Sequence, residues 1–465
     1  MNTNELRAIF LLNYQNTLIE KISSLIPFQS MPTRPDSKEV KELICYEIAK
    51  VLASEEAIKR CLQKPYMYNG LFYELLNTDN MKYFIFDTAY KSGIILNERL
   101  CRFILKEVIL RIPNYEGIMN DERYTLFQNG YVDNETGQSV KIVPDYFPTM
   151  CVEANYFPDQ PLQHPEMDKF LDSIAGGDPM LIQRLWETIG YCISSDAMAK
   201  RIFLLIGESG DNGKSTFLNV LSLLISSCGV IQMNITNLVK GWFSESELAE
   251  KRMQVSADEG NMNLTTEQIA KLKFISGHDW ITADVKHQSQ IKFLSTTKIL
   301  IASNNNIGAA YSVKDPAFSR RICSLPFDVK IPKEEQDPYL VQKLSAERDA
   351  IATHAFLEFL ALKNRNYVFT GDGVYDKNFN MHPNNPLYHL ITEFSKEYCY
   401  FTPEAFTYTE DLYLTFISKY GETIFKDITA FSQAFFKANE AYITKRKKHT
   451  NQKNAWGFCG VTLRG

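Results

Sequence analysis

The chain has 465 residues, 45% of them hydrophobic and 23% charged, with a formal net charge of −5. That length suits about three domains, and the composition is that of a globular chain rather than a disordered or fibrous one. The slightly acidic balance excludes a protein that coats nucleic acid with its whole surface, so any such contact must come from local basic patches.

In chain order, residues 1–120 read as mostly helical. Residues 41–52 carry Leu43, Ile44, Ile48, Val51 and Leu52 near a 3.6-residue period. Residues 100–111 behave similarly, and the two prolines within 32–38 mark a connector. No apolar run reaches the roughly 20 residues of a membrane span. The apolar cluster at 9–12 lies between Glu5 and Glu20 with no small-residue cleavage site, so neither a signal peptide nor a membrane partner is expected. Nine scattered cysteines without a C-x-x-C pair point to a reducing cytoplasm and away from zinc.

Residues 121–200 form a hairpin-plus-helix region. Asn129-Gly130 and Thr136-Gly137 are hairpin turns. Met167, Phe170, Leu171 and Ile174 share a helical face, and a second helix follows Pro179. Residues 201–330 alternate strands and helices, which makes the fold class α/β. Residues 331–395 read as a helical lid over 339–363, apolar at Ala352, Ala355, Phe356, Phe359 and Leu360, then an Asn/Gly/Pro-rich loop over 364–390. Residues 396–465 form a last compact unit.

The chemistry concentrates at 202–216. Five apolar residues run into Gly207, then Gly210-Asp211-Asn212-Gly213-Lys214-Ser215-Thr216 opens a helix. A glycine-rich turn between strand and helix exposes backbone N–H groups that cradle phosphates. Lys214 is the candidate for the β- and γ-phosphates, and Ser215 for Mg²⁺. The usual G-x-x-x-x-G-K-[ST] spacing would put a glycine at Glu208, whereas the chain has it at Gly207.

Three further elements fit a nucleotide site, each weak alone. Residues 253–257 read as a buried strand ending in Asp258-Glu259, suited to hold the metal and to polarise a water. An ordinary acidic helix start fits equally well there. Residues 298–302 form a second strand, whose terminal Asn304 is a candidate γ-phosphate sensor or simply a turn residue. Arg320 and Arg321 are candidates for an arginine finger reaching a neighbouring subunit, or a solvated basic turn. Residues 280–293 read as a hairpin with Lys286 and His287 at its tip, fit to track a phosphate backbone unless the lysine is incidental.

Together these residues resemble superfamily 3 replicative helicases of the AAA+ class, in the poxvirus-type and phage/plasmid primase-helicase branch. The resemblance covers roughly residues 124–465. Asn212 to Thr216 is similar to that family's Walker A and Asp258-Glu259 to its Walker B. Residues 273–279 resemble its B′ signature, Lys286-His287 its presensor hairpin, and Asn304 its first sensor. A proline common after that sensor is missing. The resemblance implies an AAA+ core and ATP with Mg²⁺ as cofactors. It also implies a homo-oligomeric, commonly hexameric, ring moving 3′→5′ on single-stranded DNA. The N-terminal region shows no primase pattern and is expected to act as a collar or to dock host replication proteins. Small proteins of this kind resemble replication initiators of phage satellites and staphylococcal-type mobile islands.

At the C-terminus, Thr409 is positioned to cap a helix to Tyr420, and a second helix presents Gln433 and Lys437. Lys445, Arg446, Lys447, Lys448 and Lys453 then make a basic stretch before a final strand. Helix, helix, basic wing and strand make a winged helix-turn-helix for duplex origin DNA. A protein-docking lid with a basic loop is the plainer alternative. The expected activity is thus an ATP-dependent helicase and replication initiator. The rivals are a non-helicase AAA+ ATPase for packaging or remodelling, and an origin-binding protein that uses ATP only to assemble.

Overall fold

A computed structural model of the chain describes residues 3–25, 38–54, 57–141, 146–207, 210–241, 244–259, 265–285, 289–304, 316–375, 386–421, 427–439, 442–449 and 454–464. The connector expected at 32–38 therefore lies largely outside the described residues. The chain divides into two units, the larger drawn from residues up to Asp372 and the smaller from Gly373–Gly465 with two short earlier stretches.

A parallel sheet sits at the centre of the larger unit. Its five strands, labelled in chain order, are β1 (Ile202–Ile206), β2 (Val230–Gln232), β3 (Met253–Glu259), β4 (Lys298–Ser303) and β5 (Ile322–Pro326). They lie side by side in the order β5-β1-β4-β3-β2. β1, β4 and β5 are buried along nearly all their length, which is why they read as continuous apolar runs instead of alternating ones.

The flanking helices carry their own start signals. Asp178 accepts from the backbone N–H groups of Met180 and Leu181 to begin Pro179–Ile193. Thr265 and Gln268 form a reciprocal capping box on Thr266–Ile275. Helix Pro165–Ala175 opens on Pro165 but receives no side-chain cap from His164. Its first N–H groups, on Glu166 and Met167, are met by the Glu347 carboxylate at 3.0 Å each. Its face of Met167, Phe170, Leu171 and Ile174 is buried, as its periodicity predicts.

The N-terminal region differs from the sequence expectation. Helices Thr3–Leu25, Lys38–Ser54, Thr78–Lys91 and Glu98–Arg111 are present, but a three-stranded antiparallel sheet over Ile58–Cys61, Lys64–Tyr68 and Tyr73–Leu75 stands between them. The expected lid helix is two helices, Leu340–Ala346 and Arg348–Asn364. No helix among the described residues is long and apolar enough to cross a membrane.

The smaller unit runs helix Pro386–Tyr398, strand Cys399–Tyr408, helices Thr409–Tyr420 and Ile428–Ala438, then an antiparallel pair Thr444–His449 and Asn454–Leu463. Strand Cys399–Tyr408 pairs with the last strand, completing a three-stranded sheet. Phe394, Phe416, Phe431, Phe435 and Phe458 pack as its core. Two sequence readings need correcting here. Thr409 is the first helical residue rather than the cap, the cap position being Tyr408, and the Thr409 hydroxyl is buried without a hydrogen-bond partner among the described residues. The basic run is strand up to His449, because each residue from Lys445 to His449 has a ladder partner on the last strand.

Candidate nucleotide site

Strand register brings the candidate residues to one edge. Ser303 of β4 pairs with Ile206 of β1 on one side and with Glu259 of β3 on the other. Glu259 is in this row, Gly207 and Asn304 come directly after it and Asp258 directly before it, all at the carboxyl ends of parallel strands. Ligands of open α/β sheets bind at such an edge. The β3–β4 ladder shifts register between Ile301 and Ser303, so three steps on β3 match two on β4. The extra residue falls in the 257–258 stretch, and bulges next to sites commonly re-aim the residues beyond them. The Asp258 and Glu259 side chains lie outside the described residues.

Asn212, Asp211 and Lys214 hold the turn after β1. Asn212 is buried and donates to the Phe327 carbonyl at 3.0 Å. The Asp211 carbonyl accepts from the Ile331 N–H at 2.8 Å. Lys214 is also buried and donates from Nζ to the Gly207 carbonyl at 2.7 Å and to Asn304 Oδ1 at 3.1 Å. Gly207, the displaced glycine, has a packing reason. A Cβ there would lie 2.3 Å from both Asn212 Nδ2 and the Phe327 carbonyl oxygen. Glu208 lies outside the described residues. Gly213 has φ +85° and serves as the N-cap of helix Lys214–Leu224. Next to Gly210, by contrast, there is open space within 4 Å.

These groups open onto a cleft of about 950 Å³. Its floor is Gly210 to Thr216 together with Ala257, Ala302 and Asn304. One wall is helix Pro165–Ala175, through Glu166, Lys169, Phe170 and Ser173; the other is the stretch from Ile331 to Leu340. Lys343 ties the walls, 2.6 Å from Asp337 and 3.9 Å from Glu166. Hydrogen bonding to Lys343 holds the Asp337 carboxyl below its usual range. A buried ammonium, the N-terminus of an 11-residue helix and an exposed Ser215 hydroxyl converge on the cleft.

The remaining candidates fall elsewhere. Arg320 is exposed, and its carbonyl accepts from Arg201 Nη1 at 2.9 Å. Arg321, in the turn after the short helix Pro316–Ser319, reaches back and donates from Nη1 to the Ala317 carbonyl at 3.1 Å. The strands Trp280–Ala283 and Ile291–Leu294 pair as an antiparallel hairpin, while its tip, Lys286 and His287, lies outside the described residues. On the smaller unit, Lys445, Arg446 and Lys447 are exposed. The side chains of Gln433, Lys437 and Lys448, and all of Lys453, lie outside the described residues.

Two networks near the core escaped the sequence reading. The Arg184 guanidinium is fully buried and donates to the Ser324 and Thr370 carbonyls and to Asp372 Oδ1. Arg201 contacts the other oxygen of Asp372. Asp372 thus joins two arginines, one of which also holds the backbone at Arg320. Beside the cleft, Asp168, His164 and His354 form a chain with ring-nitrogen contacts of 3.1 and 2.7 Å. Trp186 stacks on His354 at 4.3 Å. Partners nearly 200 residues apart leave no spacing signal in the sequence.

A family model described as "Family of unknown function (DUF5906)" matches residues 205–321. No curated protein matches the chain. Among solved structures, the chain is similar to the A form apo structure of the NrS-1 C-terminal region, at 12% identity and a TM-score of 0.44, covering 90% of this chain and 99% of that one. A second apo structure of the same region has 11% identity and a TM-score of 0.46, with 91% and 100% covered. Overlap of this degree is too loose to transfer a function.

Proposed function

We propose that the chain is an ATP-hydrolysing DNA motor of AAA+ type that separates strands during replication initiation. The observation that supports the reading is the row Ile206–Ser303–Glu259: the strand carrying Glu259 ends beside the strands that lead to Lys214 and Asn304, where a cleft lined by Lys214, Ala257 and Asn304 opens. In this reading Lys214 neutralises the β- and γ-phosphates, and the N–H groups at the start of its helix cradle them. Ser215 and Asp258 would hold Mg²⁺, which would supply neutralisation of the phosphate charge. Glu259 would orient water and Asn304 would meet the γ-phosphate. Arg320 or Arg321 would act on a neighbouring subunit's nucleotide in a ring, commonly of six. The hairpin tip at Lys286 and His287 would contact single-stranded DNA in its channel.

The smaller unit has the element order of a winged helix. In this reading helix Ile428–Ala438 enters the duplex groove at an origin, and Lys445 to Lys448 contact phosphates. Residues 1–120 would form a collar or dock host replication proteins. The test is strand displacement on forked DNA with ATP and Mg²⁺, wild type beside Lys214→Ala. Unwinding by wild type alone supports the motor. ATP hydrolysis that DNA does not stimulate, with no strand separation, favours a remodelling ATPase instead. Tight ATP binding without turnover favours an origin-binding protein.

A further inference from the structure

The sheet of the smaller unit has two faces, and among the described residues its core uses one of them. Strand Cys399–Tyr408 buries Cys399 at one end and, past the register shift between Phe401 and Phe406, Thr407 at the other, whose hydroxyl donates to the Val461 carbonyl at 2.8 Å. Tyr400, Phe406 and Tyr408 are the neighbours of these buried residues along the strand, and none belongs to the core cluster. Tyr400 is 62% exposed. On the neighbouring strands the same face receives Gly457 and Arg446, which are in register with Tyr408. Lys445 turns to the opposite face, where its ammonium meets Ser432 on helix Ile428–Ala438.

The rings are arranged over backbone. Phe406 and Tyr408 meet edge to face with centroids 5.1 Å apart. A Cβ at Gly457 would lie 2.5 Å from the far end of the Phe406 ring, so glycine lets that ring lie close over the middle strand. Arg464 caps the other end, its guanidinium 5.5 Å from the Tyr400 ring centre. The exposed Glu404 sits in the register shift between Phe401 and Phe406, at the strand's edge.

We infer that this outer face is a binding site for single-stranded nucleic acid, distinct from the duplex contact proposed for helix Ile428–Ala438 and sharing only Arg446 with the basic strand. The juxtaposition of aromatic rings with arginines at both ends suits unpaired bases stacked on the rings and phosphates held by Arg446 and Arg464. Duplex DNA keeps its base faces stacked inside the helix and has none to offer these rings. The site does not depend on the ATPase reading and survives in Lys214→Ala.

The experiment uses the full chain with fluorescent 20-mers of deoxythymidylate and of uridylate, and 5-iodouracil versions of both for photocrosslinking and peptide mapping. Adducts are expected within 399–408. The Tyr400→Ala/Tyr408→Ala double variant is expected to lose roughly tenfold or more in single-strand affinity, with duplex affinity unchanged. Tyr408→Phe, which keeps a ring, is expected to bind as wild type. Preference for one oligomer identifies whether the strand is DNA or RNA. Adducts confined to residues 1–372, or a folded double variant that binds single strands as wild type does, would overturn the site. Because crosslinking is done on the unmutated chain, a double variant that fails to fold leaves the question answerable.

Discussion

Lys214 Nζ and Asn304 Oδ1 lie 3.1 Å apart, joining the turn after one central strand to the end of the strand beside it. The acceptor is a neutral amide, so it orients the ammonium without cancelling the charge a phosphate needs. Losing a hydrogen bond to a charged group costs about 1.5–3 kcal/mol. Asn304→Ala is therefore expected to lower kcat for ATP roughly 10- to 100-fold. Asn304→Asp, which offers Lys214 a competing carboxylate, should weaken ATP binding more than Asn304→Ala does. Steady-state ATPase with KM and kcat resolved is the check, and an unchanged kcat in Asn304→Ala removes Asn304 from the site.

Gly213 and Gly210 separate folding from binding. A Cβ at Gly213 would meet Ile174 Cγ2 at 2.5 Å and impose φ +85° on an L residue. Gly213→Ala is expected to cost about 1–3 kcal/mol of stability. Gly210 faces open space, so Gly210→Ala should leave the unfolding midpoint unchanged. Thermal unfolding without nucleotide, followed by nucleotide titration, reads the two effects apart. Equal destabilisation by both variants would contradict the assignment.

Arg320 and Arg321 are expected to differ. Arg321 is engaged with the Ala317 carbonyl, whereas Arg320 exposes its side chain and is held by its backbone to Arg201. Arg320→Ala should abolish ATPase by about a thousandfold, the usual worth of a finger, with little change in unfolding midpoint. Arg321→Ala should mainly lower the midpoint. Mixing Arg320→Ala with Lys214→Ala chains should restore part of the activity, since each supplies what the other lacks. No recovery on mixing would place both residues in one subunit's site.

Lys298 is fully buried, its Nζ donating to the Ser194 carbonyl at 2.7 Å and lying over the Tyr191 ring. Desolvation, then repulsion from Arg252, pushes its pKa well below the usual lysine range. Between that lowered folded value and the higher unfolded one, the unfolded chain binds the extra proton. Its contribution therefore makes stability rise with pH across that window. In Lys298→Met that rise should vanish, leaving a flatter alkaline curve, with little loss at neutral pH. Urea midpoints from pH 6 to 10 test this, and parallel curves for the two proteins would refute it.

What the sequence made legible was local. The turn after β1 announces itself because strand, glycines and Lys214-Ser215 are contiguous, and the helix Pro165–Ala175 because its apolar face repeats. The sheet at Ile58–Leu75 was missed because its strands are three to five residues long and its first turn uses Leu62 and Gln63 at positive φ without a glycine. Strand Cys399–Tyr408 hid behind Pro403 and Glu404, since only pairing with residues 457–463 reveals it. Asp372, which joins Arg184 and Arg201, belongs to a buried ionic network that no spacing rule could assemble.

The register shift on β3 has a consequence for insertions and deletions. Removing one residue between Ser256 and Glu259 would give β3 and β4 an equal count and a more regular ladder. By the usual accounting of strand geometry the sheet would gain and Glu259 could still pair with Ser303, yet the bulge that sets the path of the chain through 257–258 would be gone. This stretch is therefore expected to tolerate changes of side chain better than changes of length, the reverse of an ordinary surface loop. A library of single-residue deletions, scored separately for folding and for ATP turnover, should show positions 257 and 258 as the place where the two scores part.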